Sequence, residues 1–514
     1  MGYYYQTAAK ELGPFSVEDE QDPKSNERLA KKLGVKPEHI SEARQRELLR
    51  PVGFDELAEI LGSTIREDKA AKLILFCAGL LTFTLEDQIN ILMSGESSGG
   101  KSYITLEVAA YFPDNIKLII SRASPTAFFH DVGTWDKEAK VLIVDLRQKL
   151  LILLDQPHYM LLEMLRSLLS HDRRELLHKI TDKSKRGQLR TKNVVILGYP
   201  TVIFCAARFT LDEQERTRLF ILSPETSQEK IEESLRLAIA RIGDRQAFNQ
   251  WINSHPRRRW LQRRVAEIQR ALIWDVVIEN QEKIYDRFRS SHPRLAPRHQ
   301  RDLPRILSLI KAHALLNFCH RERRGDRFIV ATREDEEAGF HLYSRIAKPN
   351  ELGLSPQIYE IYETVIKPLL ESNQGVSRKS ILANYHQHYG RSLPDEKLRR
   401  EILPALEVAG LVVQEPDQND RRRVLVWPPD ISPISENAES AGNRGNISGT
   451  PLSDRIQVGI NWLSDPKNHD NDGWSVLDKL REVVGGQKVV ELTLRDNLIM
   501  IHPSDPNKVR LVRR

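Results

Sequence analysis

The chain has 514 residues, of which 29% are charged and 40% apolar, and it carries a net charge of +6. That is the length of about three domains, the composition of a globular protein, and a mild lean toward anionic partners. Three widely spaced cysteines, Cys77, Cys205 and Cys319, form no C-x-x-C pair, which excludes a zinc ribbon or a thiol redox motif and fits a reducing, cytoplasmic compartment.

The opening MGYYYQTAAKELG lacks the apolar core of a signal peptide. No apolar run is long enough to span a bilayer, so no membrane partner is expected. Residues 1–50 are polar, with one short helical pattern over Asn26–Leu33, and read as a loosely packed extension. Phe54–Phe83 reads as largely helical, and Gln88–Met93 as a strand entering a Gly-rich loop.

From there to about residue 223, apolar runs alternate with helical or polar segments. The runs are Ile91–Met93, Lys117–Ile120, Leu150–Leu154, Val194–Leu197, Thr201–Cys205 and Leu219–Leu222. This predicts an α/β core around a mostly parallel sheet, over 51–225. Residues 226–350 read as an all-helical lid that includes WLQRRVAEIQRALIWDVVI, Trp260–Ile278. Within HPRRRWLQRR, His255–Arg264, Trp260 is expected to be buried while the arginines solvate the outer face.

Residues 353–428 give three helical patterns, Gln357–Glu371, Arg378–Tyr389 and Asp395–Val408, followed by two strand-like runs. That order predicts a winged helix-turn-helix. A Pro/Gly/Ser/Asn-rich linker follows over 429–452, and a small α/β module over 453–514.

The most specific stretch is SGESSGGKS. Gly95, Glu96, Ser97, Ser98, Gly99, Gly100, Lys101 and Ser102 fit G-x-x-x-x-G-K-[ST] between a strand and a helix. Glycines in that setting turn successive backbone N–H groups inward as an anion nest, and the helix N-terminus adds its dipole. Lys101 would reach the β- and γ-phosphates of ATP, and Ser102 would hold magnesium. An acidic residue closing a neighbouring strand must share that magnesium. Asp155 ends LLILLD and Asp145 ends VLIVD. Asp155 is preferred, because its run is longer and Pro157 breaks the strand, whereas Asp145 leads into Leu-Arg-Gln-Lys as a hairpin connection would. Gln156 follows Asp155 where many such ATPases have Glu; it can orient a water but cannot accept its proton.

Three further stretches accompany this site: TVIFCAAR (Thr201–Arg208), DEQERTRLFILSPE (Asp212–Glu225), and the helix from Ala296 to Leu316 carrying Ala312-His313-Ala314. Together with the P-loop, over about Phe54–Trp427, they resemble AAA+ ATPases of the minichromosome-maintenance helicase type and their relatives on mobile elements. The resemblance implies an ATP- and magnesium-dependent DNA motor, a helicase or replication initiator working as a homo-oligomer, in the family's case a hexameric ring. An ATP-binding switch with weak hydrolysis is the alternative. The resemblance makes Arg218 an arginine finger reaching a neighbouring subunit's ATP, and Arg301 a sensor 2 residue. Two departures stand out. The sensor 1 position offers only Arg208 in place of Asn or Thr, and Gln156 replaces the usual Glu.

DNA is the expected partner at two places. Lys183, Lys185 and Arg186 lie in a basic insertion, His178–Lys192, where the resemblance implies a channel hairpin. Lys397, Arg399 and Arg400 would lie on the recognition helix of the winged unit, with Arg421, Arg422 and Arg423 at its wing.

Overall fold

The computed structural model describes residues 36–95, 99–121, 133–155, 173–182, 190–206, 218–292, 294–372, 375–417, 423–429, 474–484, 499–502 and 505–511, with isolated positions at 27, 30, 31, 34, 166, 169, 171, 462, 463 and 466–468. The chain divides into two compact units, Met1–Tyr359 and Glu360–Arg514.

The first unit is built on a five-stranded sheet of β1 (Asn90–Ser94), β2 (Lys117–Ile120), β5 (Leu150–Leu153), β8 (Thr201–Ala206) and β9 (Leu219–Leu222). The strand order is β2-β5-β8-β1-β9 and every pairing is parallel. Successive side chains alternate between two cores. Ile91, Met93, Leu150, Ile152, Ile203, Cys205, Phe220 and Leu222 enter one, while Leu92, Leu151, Leu153, Val202, Phe204 and Leu219 enter the other. Burial on both faces is why these strands read as unbroken apolar runs.

The first core is closed by helices. α1 (Pro37–Leu49), α2 (Phe54–Leu61) and α3 (Lys69–Leu81) precede the sheet, and α4 (Lys101–Ala109) follows β1. α3 is buried around nearly its whole circumference, as expected of a helix apolar on every side. At Gly79 it runs so close to Phe112 that an added Cβ would stand 2.3 Å from the ring. The second core lies against a four-stranded sheet of β3 (Thr134–Asp136), β4 (Val141–Asp145), β6 (Glu175–Asp182) and β7 (Arg190–Leu197), in the order β3-β4-β7-β6.

Beyond β9 come α5 (Gln228–Gly243), α6 (Arg245–Ser254), α7 (Pro256–Arg270), β10 (Asp275–Val277), α8 (Gln281–Ser291), α9 (His299–Leu316), β11 (Phe328–Val330), α10 (Arg333–Ser344) and α11 (Ala347–Glu351). Asn350 on α11 caps the outer edge of β9, the last strand of the sheet. Its Oδ1 accepts from the Ile221 N–H at 2.9 Å, and its Nδ2 donates to the Ile221 carbonyl at 3.0 Å. The side chain thus mimics one rung of a missing strand. Asn350→Ala leaves both backbone groups buried without those bonds, and is expected to lower stability by about 2–3 kcal/mol, read as a fall in urea midpoint at unchanged slope.

The structure corrects several expectations. Val194–Leu197 belongs to β7 of the four-stranded sheet, not to the parallel sheet, because its partners are β4 and β6. β4 forms its hairpin with β3, so the turn after Asp145 connects two sheets. Trp274–Ile278 is not helical: α7 stops at Arg270, Leu272 takes a left-handed φ of 49°, and Val276 and Val277 pair with Ile329 and Val330. β-branched residues favour that outcome.

Two arginines expected in solvent are interior. Arg258 is buried against Glu107 at 3.0 Å. Arg264 donates to the carbonyls of Leu316, Leu48 and Arg50, the last two on or just beyond α1. Trp260 is buried as expected and donates to the Glu47 carbonyl at 3.2 Å. The segment Pro37–Leu49, read as loose, is therefore a docked helix.

In the second unit, α12 (Pro356–Ile361, beginning in the first unit) continues through a π turn (Tyr362–Ile366) into α13 (Lys367–Ser372). Next come β12 (Val376–Ser377), α14 (Arg378–Tyr389), α15 (Asp395–Lys397), a second π turn (Leu398–Ile402), α16 (Leu403–Val408), β13 (Val413–Pro416) and β14 (Val424–Trp427). The last three strands form an antiparallel sheet in the order β12-β14-β13. At the C-terminus β15 (Ser475–Val476), α17 (Leu477–Val484), β16 (Ile499–His502) and β17 (Asp505–Leu511) surround a small core of Leu463, Leu477, Leu480, Ile499 and Val509. No helix among the described residues is long and apolar enough to cross a membrane.

Candidate nucleotide and nucleic-acid site

The Gly-rich segment joins the C-terminal end of β1 to the start of α4. Gly95 has φ 143° and Gly100 has φ 88°, backbone regions open to glycine and strained for other residues. Gly100 directly precedes Lys101, the first residue of α4. Lys101 is buried, and its Nζ donates back to the Gly95 carbonyl at 3.0 Å. The ammonium thus spans the loop from one end to the other. Ser102 follows on the first turn of α4, half-buried. Gly99 is described; Glu96, Ser97 and Ser98 lie outside the described residues.

Asp155 lies just past the end of β5. Strand β8 separates β5 from β1, with Leu153 beside Phe204 and Met93 beside Cys205. Asp155 and the loop therefore share the C-terminal edge of one parallel sheet, two strands apart. Asp145 ends β4 in the other sheet and is tied to Arg147 at 2.6 Å, whose hydrogen bond holds its carboxyl below the usual range. Gln156 lies outside the described residues, as does Arg208.

β8, between β5, which leads to Asp155, and β1, which leads into the loop, ends in Cys205 and Ala206, both buried. The Cys205 thiol, raised above its ordinary pKa by burial, donates to the Thr105 hydroxyl on α4 at 3.4 Å. Arg218 sits half-buried immediately before β9. Arg301 is exposed on the first turn of α9. Its neighbour Arg305 is interior: it pairs with buried Asp302 at 3.0 Å, donates to the Leu219 carbonyl at 2.7 Å, and lies over the Phe220 ring. This ties the root of α9 to the residue after Arg218, so the two candidate arginines flank one anchored junction.

A clasp that the sequence did not announce borders the loop. Pro224, just beyond β9, comes within 3.3 Å of where a Cβ on Gly95 would stand. The next residue, Glu225, donates its backbone N–H to Asp68 at 2.7 Å, and Lys230 pairs with the same carboxylate at 2.6 Å. Burial raises the pKa of Asp68 against the pull of Lys230, and lowers that of nearby Lys72. Asp68 itself adopts a left-handed φ of 49°. Only spatial proximity brings Asp68, Glu225 and Lys230 together, so no local motif could have marked them.

The basic insertion forms the β6–β7 hairpin, paired in register from Glu175 with Leu197 to Asp182 with Arg190. Lys183, Lys185 and Arg186 belong to the residues joining these strands and lie outside the described residues. A second hairpin stands beside it. β4 runs parallel to β7 with Val141 next to Asn193, and Asn193 pairs with Lys179 on β6. The β3–β4 turn, residues 137–140, is therefore at the same end of the sheet as Asp182 and Arg190, the paired ends of β6 and β7. That end presents exposed Lys137, Lys140 and Lys179. In the second unit, Lys397 is on α15 and Arg399 and Arg400 on the π turn that continues it, with Arg400 exposed and paired to Glu396 at 3.0 Å. Arg423 directly precedes β14, while Arg421 and Arg422 lie outside the described residues.

Comparison with known proteins adds a partial likeness. No protein-family model matches the chain, and no curated protein matches it. Among solved structures it is similar to a full-length MCM homolog from Methanopyrus kandleri, at 14% identity and a TM-score of 0.34, over 57% of this chain and 60% of that one. It is also similar to the NrS-1 C-terminal region in an apo form, at 12% identity and a TM-score of 0.23, over 74% of this chain and 78% of that one. The chain thus spans only three-fifths of the MCM homolog's length. Likeness at this level does not by itself assign a fold or an activity. What the geometry itself provides is a glycine-lined loop, a buried lysine and an acidic strand end along one edge of an all-parallel sheet.

Proposed function

We propose that this chain is an ATP-driven DNA motor, a ring-forming helicase or replication initiator of a mobile element, with an AAA+ core, a helical lid and a winged helix. The observation that carries the reading is the placement of the Gly95–Ser102 loop and Asp155 on one edge of a parallel sheet, with β8 between them. Backbone N–H groups of the loop and the Lys101 ammonium would hold the phosphates of ATP; Ser102 and Asp155 would hold magnesium. The donor set fits: two glycines in left-handed backbone, one buried ammonium, one hydroxyl and one carboxylate. Bound ATP with magnesium supplies a phosphoryl group for transfer to water. Gln156 would orient that water. Arg218 would be donated to a neighbouring subunit and Arg301 would act at the same junction, both stabilising charge that develops on transfer.

The DNA backbone would meet the end of the four-stranded sheet where both hairpin turns lie, through Lys183, Lys185 and Arg186 with Lys137, Lys140 and Lys179 beside them. The Lys397, Arg399 and Arg400 helix and the Arg421–Arg423 segment would form a second contact.

A second reading, an ATP-binding switch with weak hydrolysis, is favoured by the end of β8. Cys205 and Ala206 stand there, and Gln156 replaces a base. ATP turnover by the full chain with no DNA, with single-stranded DNA and with duplex DNA decides between them. Stimulation by DNA supports the motor, and binding of ATP without turnover under every condition supports the switch. Affinity for single-stranded DNA is expected to fall steeply with salt. Lys183→Ala, Lys185→Ala and Arg186→Ala together are expected to flatten the log–log salt slope by about 2; an unchanged slope would remove this hairpin from the interface.

A further inference from the structure

Helix α5 carries its most apolar face on the wrong side. Its inner side faces its own unit: Lys230 reaches Asp68, Arg241 lies over the Tyr103 ring, and Leu237 and Ala240 line a cavity of about 600 Å³ with Phe248 and Trp251 of α6. At 100° per residue, Ile231, Leu235, Ile239 and Ile242 fall on the opposite side. They are 39%, 59%, 71% and 63% exposed. A 16-residue helix is marginal in water unless its apolar face is packed, and here that face is open.

The spacing of the stripe names an occupant. Ile231, Leu235, Ala238 and Ile242 follow the alternating four- and three-residue steps of a coiled-coil seam. Read against a second copy running the other way, the seam is self-complementary. Ile231 meets Ile242 of the second chain, and Leu235 meets Ala238, a large residue against a small one. The charges agree with that direction. The N-terminal half of α5 carries exposed Glu229, Glu232 and Glu233, and the C-terminal half with the start of α6 carries exposed Arg236, Arg241 and Arg245, with Glu233, Arg236 and Arg241 toward the inner side, so the agreement is between helix halves and not across the seam. An antiparallel pair sets acidic half against basic half; a parallel pair would set like against like.

We propose that α5 pairs antiparallel with α5 of a second copy of this chain, a two-fold contact through Ile231, Leu235, Ala238 and Ile242. It uses neither the nucleotide nor the DNA residues. It also differs in kind from the head-to-tail contact that a trans-acting arginine asks for. A 16-residue helix is about 24 Å long and about 10 Å wide, a footprint below the roughly 800 Å² per partner of a standard interface. The pair therefore belongs to the weak class, forming on the order of tens of micromolar chain.

The test is sedimentation velocity on the full chain across a wide concentration range, without nucleotide or DNA. Wild type is expected to move from monomer to dimer, and Leu235→Glu and Ile242→Glu, both at exposed positions, to remain monomeric at the same concentrations. A chain carrying Leu235→Cys with Ala238→Cys in a Cys319→Ser background is expected, after mild oxidation, to give a covalent dimer. Peptide mapping should find position 235 of one chain joined to position 238 of the other. Three results overturn the proposal: a wild type that stays monomeric throughout, self-association unchanged in both Glu variants, or cross-links joining 235 to 235 and 238 to 238. Because no ATP is present, the outcome is independent of whether the chain hydrolyses it.

Discussion

Lys101→Ala is expected to lower ATP turnover by about 10²–10³-fold, the usual loss when one preorganised group facing a reacting phosphate is removed. The geometry gives the reason. Lys101 is the first residue of α4, held by a left-handed Gly100, and its buried ammonium spans the loop to the Gly95 carbonyl. In that position its charge would face the phosphates the proposal places there, where desolvation makes it count for more than in water. Lys101→Arg is expected to fail as well, because a planar fork does not replace a compact ammonium in a closed loop. The fold should survive both changes, since Lys101 belongs to neither apolar core. Turnover and binding of a fluorescent ATP analogue should be measured beside a thermal melt. A folded Lys101→Ala chain turning over ATP within threefold of wild type would mean that this loop is not the site.

The second large effect is on stability. Asp335→Ala is expected to cost about 3–5 kcal/mol, the range for removing one partner of a buried charge network. Asp335 is wholly buried at the start of α10. It accepts from Arg321 at 2.6 and 2.7 Å, meets the His313 ring at 2.6 Å, and closes the capping box with Thr332. The mutation leaves the buried Arg321 guanidinium without that carboxylate and α10 without its cap, and it loosens α9, on which Arg301 rides. The pH dependence has a definite sign. Burial alone would raise the Asp335 carboxyl, but the His313 and Arg321 hydrogen bonds outweigh it and hold the pKa below its ordinary value. A depressed folded pKa means that this stabilisation is complete above the unfolded value, about 4, and is lost as pH falls through the folded one. Urea midpoints of wild type and variant should therefore converge toward low pH. A difference that stays constant from neutral pH down to pH 3 would remove the carboxylate's charge from the account.

Strong local signals were legible. The Gly95–Ser102 pattern, the helices Phe54–Leu61 and Lys69–Leu81, the apolar runs at 91, 117, 150, 201 and 219, and the helix–helix–strand order beyond residue 356 all declare themselves, because periodicity and glycine chemistry act within a few residues. The preference for Asp155 over Asp145 also had a local basis, in run length and Pro157.

Other features depended on pairing partners far away in the chain. Val194–Leu197 is as apolar as any parallel strand, and only its neighbours β4 and β6 assign it to the second sheet. Trp274–Ile278 continued a helical pattern until Ile329 and Val330 drew Val276 and Val277 into a strand. Arg258 and Arg264 looked like solvent residues; Glu107 and three backbone carbonyls from other elements make their burial tolerable. The Asp68–Lys230 clasp, the Asn350 edge cap and the outward apolar face of α5 follow the same rule. Sequence by itself determined the glycine-rich segment after β1 and the elements around it, since each rests on short-range geometry. Tertiary structure alone decided which strands share a sheet, which charges are interior and which apolar face is left uncovered, because those depend on contacts between residues tens to hundreds of positions apart.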